Sequence, residues 1–348
     1  MKFKATYLIG VCVLGLAFVF GGMIAAPQQK AGGARRFPQP APEKEVTVTA
    51  IPGVVAAGAR WKLVWQGPDN ADGLVGTKEG GILFAQEQPS TIGMLDPNDK
   101  FSIFVRDTHG TGGVAYDNKG RLMGAERTCS DPGGKPEECH EPARLVVLHP
   151  TREVLASNYN GKTFWRMNGD IAPDSRGGAY FADAAATYYV NPAGKVSLVA
   201  TKEEVSSNGI ILSPDGKTLY LTNGKTIVAY DVRPDGASAN KRTFATLQGG
   251  ANGDGMCVDS ESRLYVTASN TGIQVFSPQG NYLGTIPLPR TASSMAFSGP
   301  NKKVLYAKGA GMKLPDGKEY TTPDGVRNNA KAIYKIDMIA QGLMGRSR

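Results

Sequence analysis

The sequence predicts an all-β fold, a six-bladed β-propeller with four-stranded blades, from its composition, a repeated unit and the spacing of that unit. The 348 residues include 44 Gly and 22 Pro and few long stretches with helical periodicity, which indicates a loop-rich β protein. A polar turn followed by a strand rich in apolar residues occurs six times. The copies are TKEGGILF at Thr77, DNKGRLMG at Asp117, DSRGGAYF at Asp174, SPDGKTLYL at Ser213, DSESRLYV at Asp259 and GPNKKVLYA at Gly299.

The spacing of these copies favours a propeller over a β-sandwich. Most copies follow one another after about 40 to 46 residues, the length of a four-stranded blade, and an insertion at residues 128–142 lengthens one interval. A sandwich gives no reason for one unit to recur six times at a near-constant period. We therefore expect the propeller at residues 53–342, closed by a last strand that begins at Lys331 and by a strand near residues 46–51.

The N-terminal segment predicts export. Lys2 and Lys4 precede an uncharged apolar run at residues 7–26, and two interpretations stay open, a cleaved signal peptide or an uncleaved membrane anchor. Both place the rest of the chain outside the cytoplasm, as a periplasmic or secreted protein that is tethered to the inner membrane if the segment is kept. Residues 27–52 are rich in Pro, Ala and charge, which predicts a flexible linker.

The distribution of charge argues against a nucleic-acid partner. The formal net charge is +8, but Lys and Arg exceed Asp and Glu only up to Arg60 and from Asn328 onward, where the counts are 7 against 2 and 4 against 1. The intervening body is balanced, with 28 of each sign. We expect no nucleic-acid-binding surface, and contact with a membrane only through the N-terminal segment.

Two cysteines predict a disulfide. Cys129 and Cys139 flank a Gly- and Pro-rich loop, and an exported protein meets an oxidising compartment. A zinc site is the alternative, but it needs more Cys or His than the three scattered histidines supply. Cys257 is expected to be a buried strand residue rather than a nucleophile.

The residues ahead of the repeated turns form the candidate site. Inner propeller strands begin around one central channel, so the residue before each inner strand faces a shared axis. Oxygen donors dominate these positions, which suits one divalent cation, Ca²⁺ first, with Mg²⁺, Mn²⁺ or Zn²⁺ as alternatives. The positions are Asp72, Thr111 with Gly112, Asn168 with Asp170, Asn208, Asp254 and Ser293 with Ser294.

Two segments resemble the gluconolactonase and senescence-marker-protein family. SNGIILSPDGKTLYLTN, from Ser207, resembles the family's Asn-Gly followed by a Ser-Pro-Asp-Gly turn and a strand, and GDGMCVDSESRLYV, from Gly253, resembles its Asp-Gly-Met segment. The resemblance implies that Asn208 and Asp254 bind the metal and that Asp254 is the catalytic general base. It also implies that Asp72, which stands where the family usually has Glu, is a third metal ligand.

The third blade departs from the family pattern. Gly169 and Asp170 stand where family members have Asn-Asp, so the resemblance implies that Asn168 supplies the amide after a local shift. Asn168 and Asp170 are therefore substrate-binding candidates. Arg166, just upstream, is expected to reach a substrate carboxylate or hydroxyl, and Glu126 is expected at the rim of the pocket, where the inner strand of the second blade ends.

The function that these residues imply is metal-dependent hydrolysis of a small-molecule sugar lactone or related cyclic ester. The cation polarises the carbonyl, so no covalent nucleophile is needed. The sequence has no Gly-X-Ser-X-Gly elbow and few His for a Ser-His-Asp triad. Hydrolysis of a phosphotriester is a lesser alternative at the same site. A rival from another class is a non-enzymatic propeller that binds a sugar, peptide or protein and uses the metal for structure.

Overall fold

The computed structural model describes residues 37–127 and 141–344, which form six four-stranded antiparallel sheets. The predicted six-bladed propeller is confirmed. The described residues contain no α-helix, only 3-10 turns at Gln248–Gly250 and Pro300–Lys302, and none of their helices is long and apolar enough to cross a bilayer. The predicted export segment at residues 7–26 and the predicted Cys129–Cys139 disulfide lie outside the described residues.

Each of the first five blades is a meander of four consecutive strands. The first blade is β2 Asp72–Gly76, β3 Ile82–Gln86, β4 Thr91–Leu95 and β5 Phe101–Arg106. The second is β6 Val114–Tyr116, β7 Leu122–Glu126, β8 Arg144–His149 and β9 Glu153–Ala156. A two-stranded hairpin, β10 Asn158–Tyr159 and β11 Lys162–Thr163, precedes the third blade, which is β12 Met167–Pro173, β13 Ala179–Asp183, β14 Ala186–Val190 and β15 Val196–Thr201.

The remaining blades follow the same plan until the ring closes. The fourth blade is β16 Ile210–Leu212, β17 Thr218–Asn223, β18 Thr226–Val232 and β19 Ser238–Thr246. The fifth is β20 Gly253–Val258, β21 Leu264–Ala268, β22 Gly272–Phe276 and β23 Tyr282–Ile286. The sixth is β24 Ala292–Ser298, β25 Val304–Ala310, β26 Lys331–Asp337 and, from the start of the propeller, β1 Lys62–Gly67.

Two features close the ring. Strand β1 pairs antiparallel with β26, so the first strand of the chain completes the last blade. Each inner strand also contacts the inner strands of the two neighbouring blades, in the order β2, β6, β12, β16, β20, β24 and back to β2. The predicted last strand at Lys331 is present as β26, but the partner that closes the sheet is β1 rather than a strand at residues 46–51.

The repeated turns owe their conformation to side-chain oxygens. In the fifth blade, Oδ1 of Asp259 accepts hydrogen bonds from the backbone N–H groups of Glu261 and Arg263, both at 2.9 Å. Asp117 and Asp174 bind their own turns in the same way. A short Asp side chain that bonds its own backbone stabilises a tight turn, which explains why Asp begins three of the six units.

The hydrophobic core lies between the blades. The second and third strands of the first, third and fifth blades are almost wholly buried, whereas the outer strand β5 contains no fully buried residue. Tyr265 packs edge-on against Phe297 of the next blade with ring centroids 5.2 Å apart. Burial of aromatic side chains of this size gives each blade-to-blade interface a large hydrophobic contribution.

The described part of the predicted linker packs on the propeller. Val48 and Ile51 are 2% and 3% exposed and join the core cluster of the fifth and sixth blades. The carboxylate of Glu43 accepts the hydroxyl of Tyr334 at 2.8 Å and pairs with Lys313 at 2.6 Å. Residues 37–52 are rich in Pro and charge, as a linker would be, but Val48, Ile51 and the carboxylate of Glu43 help to attach this segment to the propeller.

Candidate functional site

A polar recess of about 480 Å³ opens where the inner strands begin. It is lined by residues that start the inner strands of several blades, as the axial positions of the sequence predict. Six of the seven predicted metal- and substrate-binding residues lie together in it. They are Asp72, Arg166, Asn168, Asp170, Asn208 and Asp254.

Glu126 is the predicted residue that the structure does not bring to the recess. It ends β7, the second strand of its blade, and not the inner strand β6, and its side chain is fully buried. Nε and a terminal nitrogen of Arg152 donate to its two carboxylate oxygens, each at 2.8 Å. This bidentate pair, formed with a residue 26 positions later, holds the carboxylate inside the second blade.

Glycines that follow the axial residues allow the inner strands to approach one another. A Cβ on Gly113 would lie 1.3 Å from the backbone oxygen of Gly169, and one on Gly209 would lie 2.1 Å from the backbone oxygen of Asp254. A Cβ on Gly255 would likewise lie 2.6 Å from the backbone oxygen of Ser293. The Asn-Gly and Asp-Gly dipeptides of the sequence are therefore not isolated turn signals, because they mark where neighbouring blades touch around the channel.

Asp72 lies on the first-blade side of the recess in an ion pair. Nζ of Lys308 lies 3.0 Å from its Oδ1, and the backbone N–H of Gly73 donates to the same oxygen at 3.0 Å. Burial opposes ionisation of Asp72, but the positive charges of Lys308 and Arg127 prevail and hold its pKa below the usual value. Asp72 is thus a charged carboxylate that already has one cationic partner.

Asp254 has the opposite electrostatic environment. No hydrogen-bond donor contacts its carboxylate among the residues that the structure describes, and its side chain is partly exposed to the recess. Burial and then the nearby charge of Asp72 raise its pKa to about 7, with Asp170 adding and with Lys308 and Arg127 opposing. A carboxyl group with this pKa exchanges a proton at neutral pH.

The amide and carboxylate of the third and fourth blades hold the recess wall. Nδ2 of Asn168 donates to the backbone oxygen of Ser207 at 2.7 Å, and the N–H of Ile210 donates to Oδ2 of Asp170 at 3.3 Å. These bonds join the third blade to the fourth. Asn208 is fixed through its backbone, whose N–H donates to Oγ1 of Thr222, and its exposed side-chain amide has no hydrogen-bond partner in the described part of the chain.

Several cationic residues of the recess were not predicted. Lys308 lies in the middle of the buried strand β25 and is 3% exposed, and a lone Lys within VLYAKGA was the signal that could have identified it. Lys331 begins strand β26. Arg127, Lys202 and Arg327 follow strands or lie in loops, and no local pattern distinguishes them from solvated surface residues.

The oxygen atoms of the recess could hold a hard cation only if a side-chain amide binds it together with the carboxylates. Within residues 37–127 and 141–344, no three His, Cys, Asp or Glu side chains are grouped closely enough to hold a metal ion by themselves. The carboxylate of Asp254 and the amide of Asn208 are oxygen donors on neighbouring inner strands, and only Oδ1 of Asp72 is taken by Lys308. Oxygen ligands of this kind suit Ca²⁺ better than a transition metal.

The resemblance drawn from the motifs is confirmed by comparison with known proteins. Residues 156–310 match the family model described as SMP-30/Gluconolactonase/LRE-like region. A lactonohydrolase of Aspergillus oryzae is 29% identical over 214 residues, which cover 48% of each chain. A gluconolactonase of Zymomonas mobilis is 25% identical over 266 residues, which cover 67% of this chain and 71% of the relative. The chain thus spans about half the length of the first of these relatives.

Solved structures show the same fold. A gluconolactonase from Xanthomonas campestris superposes with a TM-score of 0.66 at 20% identity, covering 87% of this chain and 99% of that one. The calcium-binding protein regucalcin from Agrobacterium tumefaciens gives 0.62 at 14% identity, covering 82% and 95%. At these low sequence identities, the structural similarity supports the shared propeller fold alone.

Proposed function

We propose, from the SMP-30/gluconolactonase/LRE-like region at residues 156–310, that this chain hydrolyses a lactone or a related cyclic ester with the help of one divalent cation. The relatives named lactonohydrolase and gluconolactonase support the reaction class. The name of regucalcin, a calcium-binding protein of the same fold, supports Ca²⁺ as the first choice of cation. The apolar segment at residues 7–26 supports a site of action outside the cytoplasm.

The observation that carries this proposal is the environment of Asp254. Without a bound cation, burial and the charge of Asp72 raise the pKa of Asp254 to about 7, so this carboxylate lacks a compensating charge and can take up a proton or bind a cation. The carboxylate faces a recess of about 480 Å³, which accommodates a sugar-sized ring and a water molecule. Asp254 is the one residue of the described recess that combines such a pKa with a carboxylate free of hydrogen-bond donors.

Asp254 would act on the water that attacks the ring ester. As the water oxygen bonds to the carbonyl carbon, one water proton passes to the carboxylate of Asp254. The bond between the carbonyl carbon and the ring oxygen then breaks, and the proton returns to the ring oxygen as the alcohol of the open hydroxy acid. General-base assistance of this kind is typically worth about 10² to 10⁴ in rate.

The cation would supply a Lewis acid that polarises the lactone carbonyl. Asp254 and Asn208 would hold it, with Asp72 beside them. Lys308 keeps Asp72 ionised and at the same time lowers the net negative charge around the site. Because affinity for Ca²⁺ rises with the number of uncompensated carboxylates, we expect weaker binding than at a site of three unpaired acidic ligands.

Turnover of D-glucono-1,4-lactone and D-glucono-1,5-lactone tests the proposal. The purified protein is assayed with saturating Ca²⁺ or Mn²⁺ and, in parallel, after chelation with EDTA. We expect hydrolysis that requires the cation. If no lactone or simple ester is hydrolysed with either ion, the protein is a binding propeller instead, and if chelated protein keeps full activity, the metal is not part of the reaction.

A further inference from the structure

The recess contains more positive charge than hydrolysis of a neutral lactone requires. Six cationic side chains and four carboxylates line it among the described residues. Two of the cations are neutralised by carboxylates, Lys308 by Asp72 and Arg127 by Glu87. The side chains of Arg166, Lys202 and Arg327 form no ion pair or hydrogen bond with the described residues.

The unneutralised cations come from opposite walls. Arg166 and Lys202 flank the first and last strands of the third blade. Arg327 lies in the connection between β25 and β26 of the sixth blade, at residues 311–330, and Lys331 begins β26. In a ring of six blades the third and sixth face one another, so positive charge borders the recess on both sides while Asp72 and Asp254 lie between.

The sixth-blade connection is built to hold Arg327 in place. The neighbouring Asn328 is buried and donates through Nδ2 to the side-chain oxygen of Gln39 at 2.9 Å and to the backbone oxygen of Tyr320 at 3.0 Å. Nη2 of Arg290 donates to both carboxylate oxygens of Glu319 in the same connection, at 3.0 and 2.8 Å. Such a connection positions a side chain more firmly than an unattached surface loop does.

Lys331 indicates that the positive charge of this wall is uncompensated. Burial, followed by the charges of Lys308 and Arg327, lowers its pKa to about 7, although Asp72 and Glu87 oppose this. Cations held close together without an anion destabilise one another. Nζ of Lys331 donates to the backbone oxygens of Asn329 at 2.7 Å and Ala330 at 3.3 Å, and a bound anion would accept its remaining N–H and reduce the repulsion.

We propose that the recess takes a lactone that carries a free carboxylate, and that Arg327 and Lys331 form the subsite for that carboxylate. The inference rests on the proposed lactonase function and specifies its substrate class. An acid group on the ring would lie against the sixth-blade wall, and the ring ester would lie toward Asp254. The Arg166 and Lys202 wall would add to the attraction of an anion at longer range.

Two lactones with the same ring test the subsite. D-glucaro-1,4-lactone carries a carboxylate where D-glucono-1,4-lactone carries a hydroxymethyl group. We expect the charged lactone to have the higher kcat/KM. We also expect R327Q to raise KM for the charged lactone about tenfold, since a charge-assisted hydrogen bond is lost, and to leave KM for the neutral lactone unchanged.

Matched variants separate a subsite from a general effect of charge. Lys318 lies in the same connection, is exposed and pairs with Asp316, so K318Q removes one positive charge outside the recess and should change neither KM. R327K should restore most of the affinity. Equal effects of R327Q on both lactones, or a preference for the neutral one, would overturn the subsite while the lactonase function stands.

Calorimetry covers the case in which no lactone is hydrolysed. D-glucarate and D-gluconate are titrated into the wild-type protein and into R327Q. Tighter binding of glucarate that R327Q abolishes supports the carboxylate subsite even if the hydrolase proposal fails. Equal binding of the two acids, unaffected by R327Q, overturns the subsite independently of any turnover.

Discussion

The two ends of strand β20 carry the same residue type in opposite surroundings. Asp259, after the turn end, is fully buried, and its carboxylate accepts two backbone N–H groups, Nε of Arg263 at 2.6 Å and the hydroxyl of Tyr265 at 2.9 Å. Asp254, at the axial end, faces the recess without a hydrogen-bond donor in the described chain. One Asp stabilises the fold, and the carboxylate of the other is left without a hydrogen-bond donor among the described residues.

The same contrast holds between blades. At the turn end of the third blade, burial opposes ionisation of Asp174, but the hydroxyl of Tyr189 and the charge of Arg176 keep its pKa below the usual value. At the axial end, burial and Asp72 raise the pKa of Asp254 to about 7. A carboxylate whose hydrogen bonds are satisfied stabilises structure, and one whose charge is uncompensated is a candidate for binding and catalysis.

Asp254→Asn gives the largest expected effect. Asn keeps the size and one oxygen donor but removes the charge and the proton acceptor. With Ca²⁺ raised until the site of the variant is refilled, we expect kcat on a lactone to fall about 10² to 10⁴-fold, or roughly 3 to 5 kcal/mol of barrier. Circular dichroism should show an unchanged fold.

Asp259→Asn is the matched control for that variant, because the same atom is replaced five positions later. Activity per folded molecule should be retained. If Asp254→Asn regains wild-type turnover once Ca²⁺ is saturating, Asp254 is a ligand without a role in proton transfer.

Asp259→Asn should instead lower stability. Its Nδ2 would face the Arg263 side chain, which is 9% exposed and would keep only the exposed Glu261 as an anionic partner. Loss of one member of a buried pair typically costs about 3 to 5 kcal/mol. Urea unfolding followed by tryptophan fluorescence measures the change, and an unfolding free energy within about 0.5 kcal/mol of wild type would contradict the assignment of Asp259 to the fold.

Much of this contrast could be predicted from the sequence. The repeated turn identified Asp117, Asp174 and Asp259 as turn residues, because local hydrogen bonds decide their conformation. The rule that inner strands begin at the axis placed Asp72, Asn208 and Asp254 in one recess. Both inferences need only the period of the repeat and the order of the strands.

What could not be predicted depends on contacts between distant residues. Glu126 was expected at the rim of the pocket, but a bidentate pair with Arg152 keeps it inside the second blade. Lys308 reaches Asp72, 236 residues away, only because the sixth blade lies beside the first. The position of Arg327 depends on the path of the 20-residue connection between β25 and β26, which is not part of the repeated unit. Local periodicity contains no information on these pairings.

The pH dependence of stability measures the same contrast without a substrate. The folded-state pKa of Asp254 is raised to about 7 from an ordinary value of 3.8, so the folded protein binds more protons than the unfolded chain between these values. Stability from this group is therefore full below about pH 4 and is lost as pH rises to 7 and above. Asp254→Asn lacks this loss.

Without metal, the unfolding free energy of Asp254→Asn relative to that of wild type should rise by roughly 2 kcal/mol between pH 5 and pH 8, because one pKa unit corresponds to about 1.4 kcal/mol. Urea unfolding in EDTA at several pH values measures the difference. Parallel stability curves for the two proteins would show that the carboxylate of Asp254 is compensated in solution.

The smallest expected effect concerns how the axial end is held open for a ligand. Thr222 is fully buried on β17, and its Oγ1 accepts the backbone N–H groups of Asn208 at 3.2 Å and Gly209 at 2.7 Å. Thr222→Val keeps the volume but leaves two donors without this acceptor, which we expect to cost about 1 to 2 kcal/mol. Because the backbone of Asn208 loses its anchor, affinity for Ca²⁺ should fall a few-fold.

Thr267→Val in the next blade is the control for Thr222→Val. Thr267 is equally buried, but its hydroxyl donates to the backbone oxygen of Gly255 at 3.2 Å rather than accepting N–H groups. An under-satisfied carbonyl costs less than stranded N–H groups, so Thr267→Val should destabilise the protein less. Calcium titration by calorimetry and urea unfolding compare the two variants. Equal losses of both stability and calcium affinity would mean that the Thr222 hydroxyl contributes packing alone, and that Asn208 is positioned by the close contact of Gly209 with the backbone of Asp254.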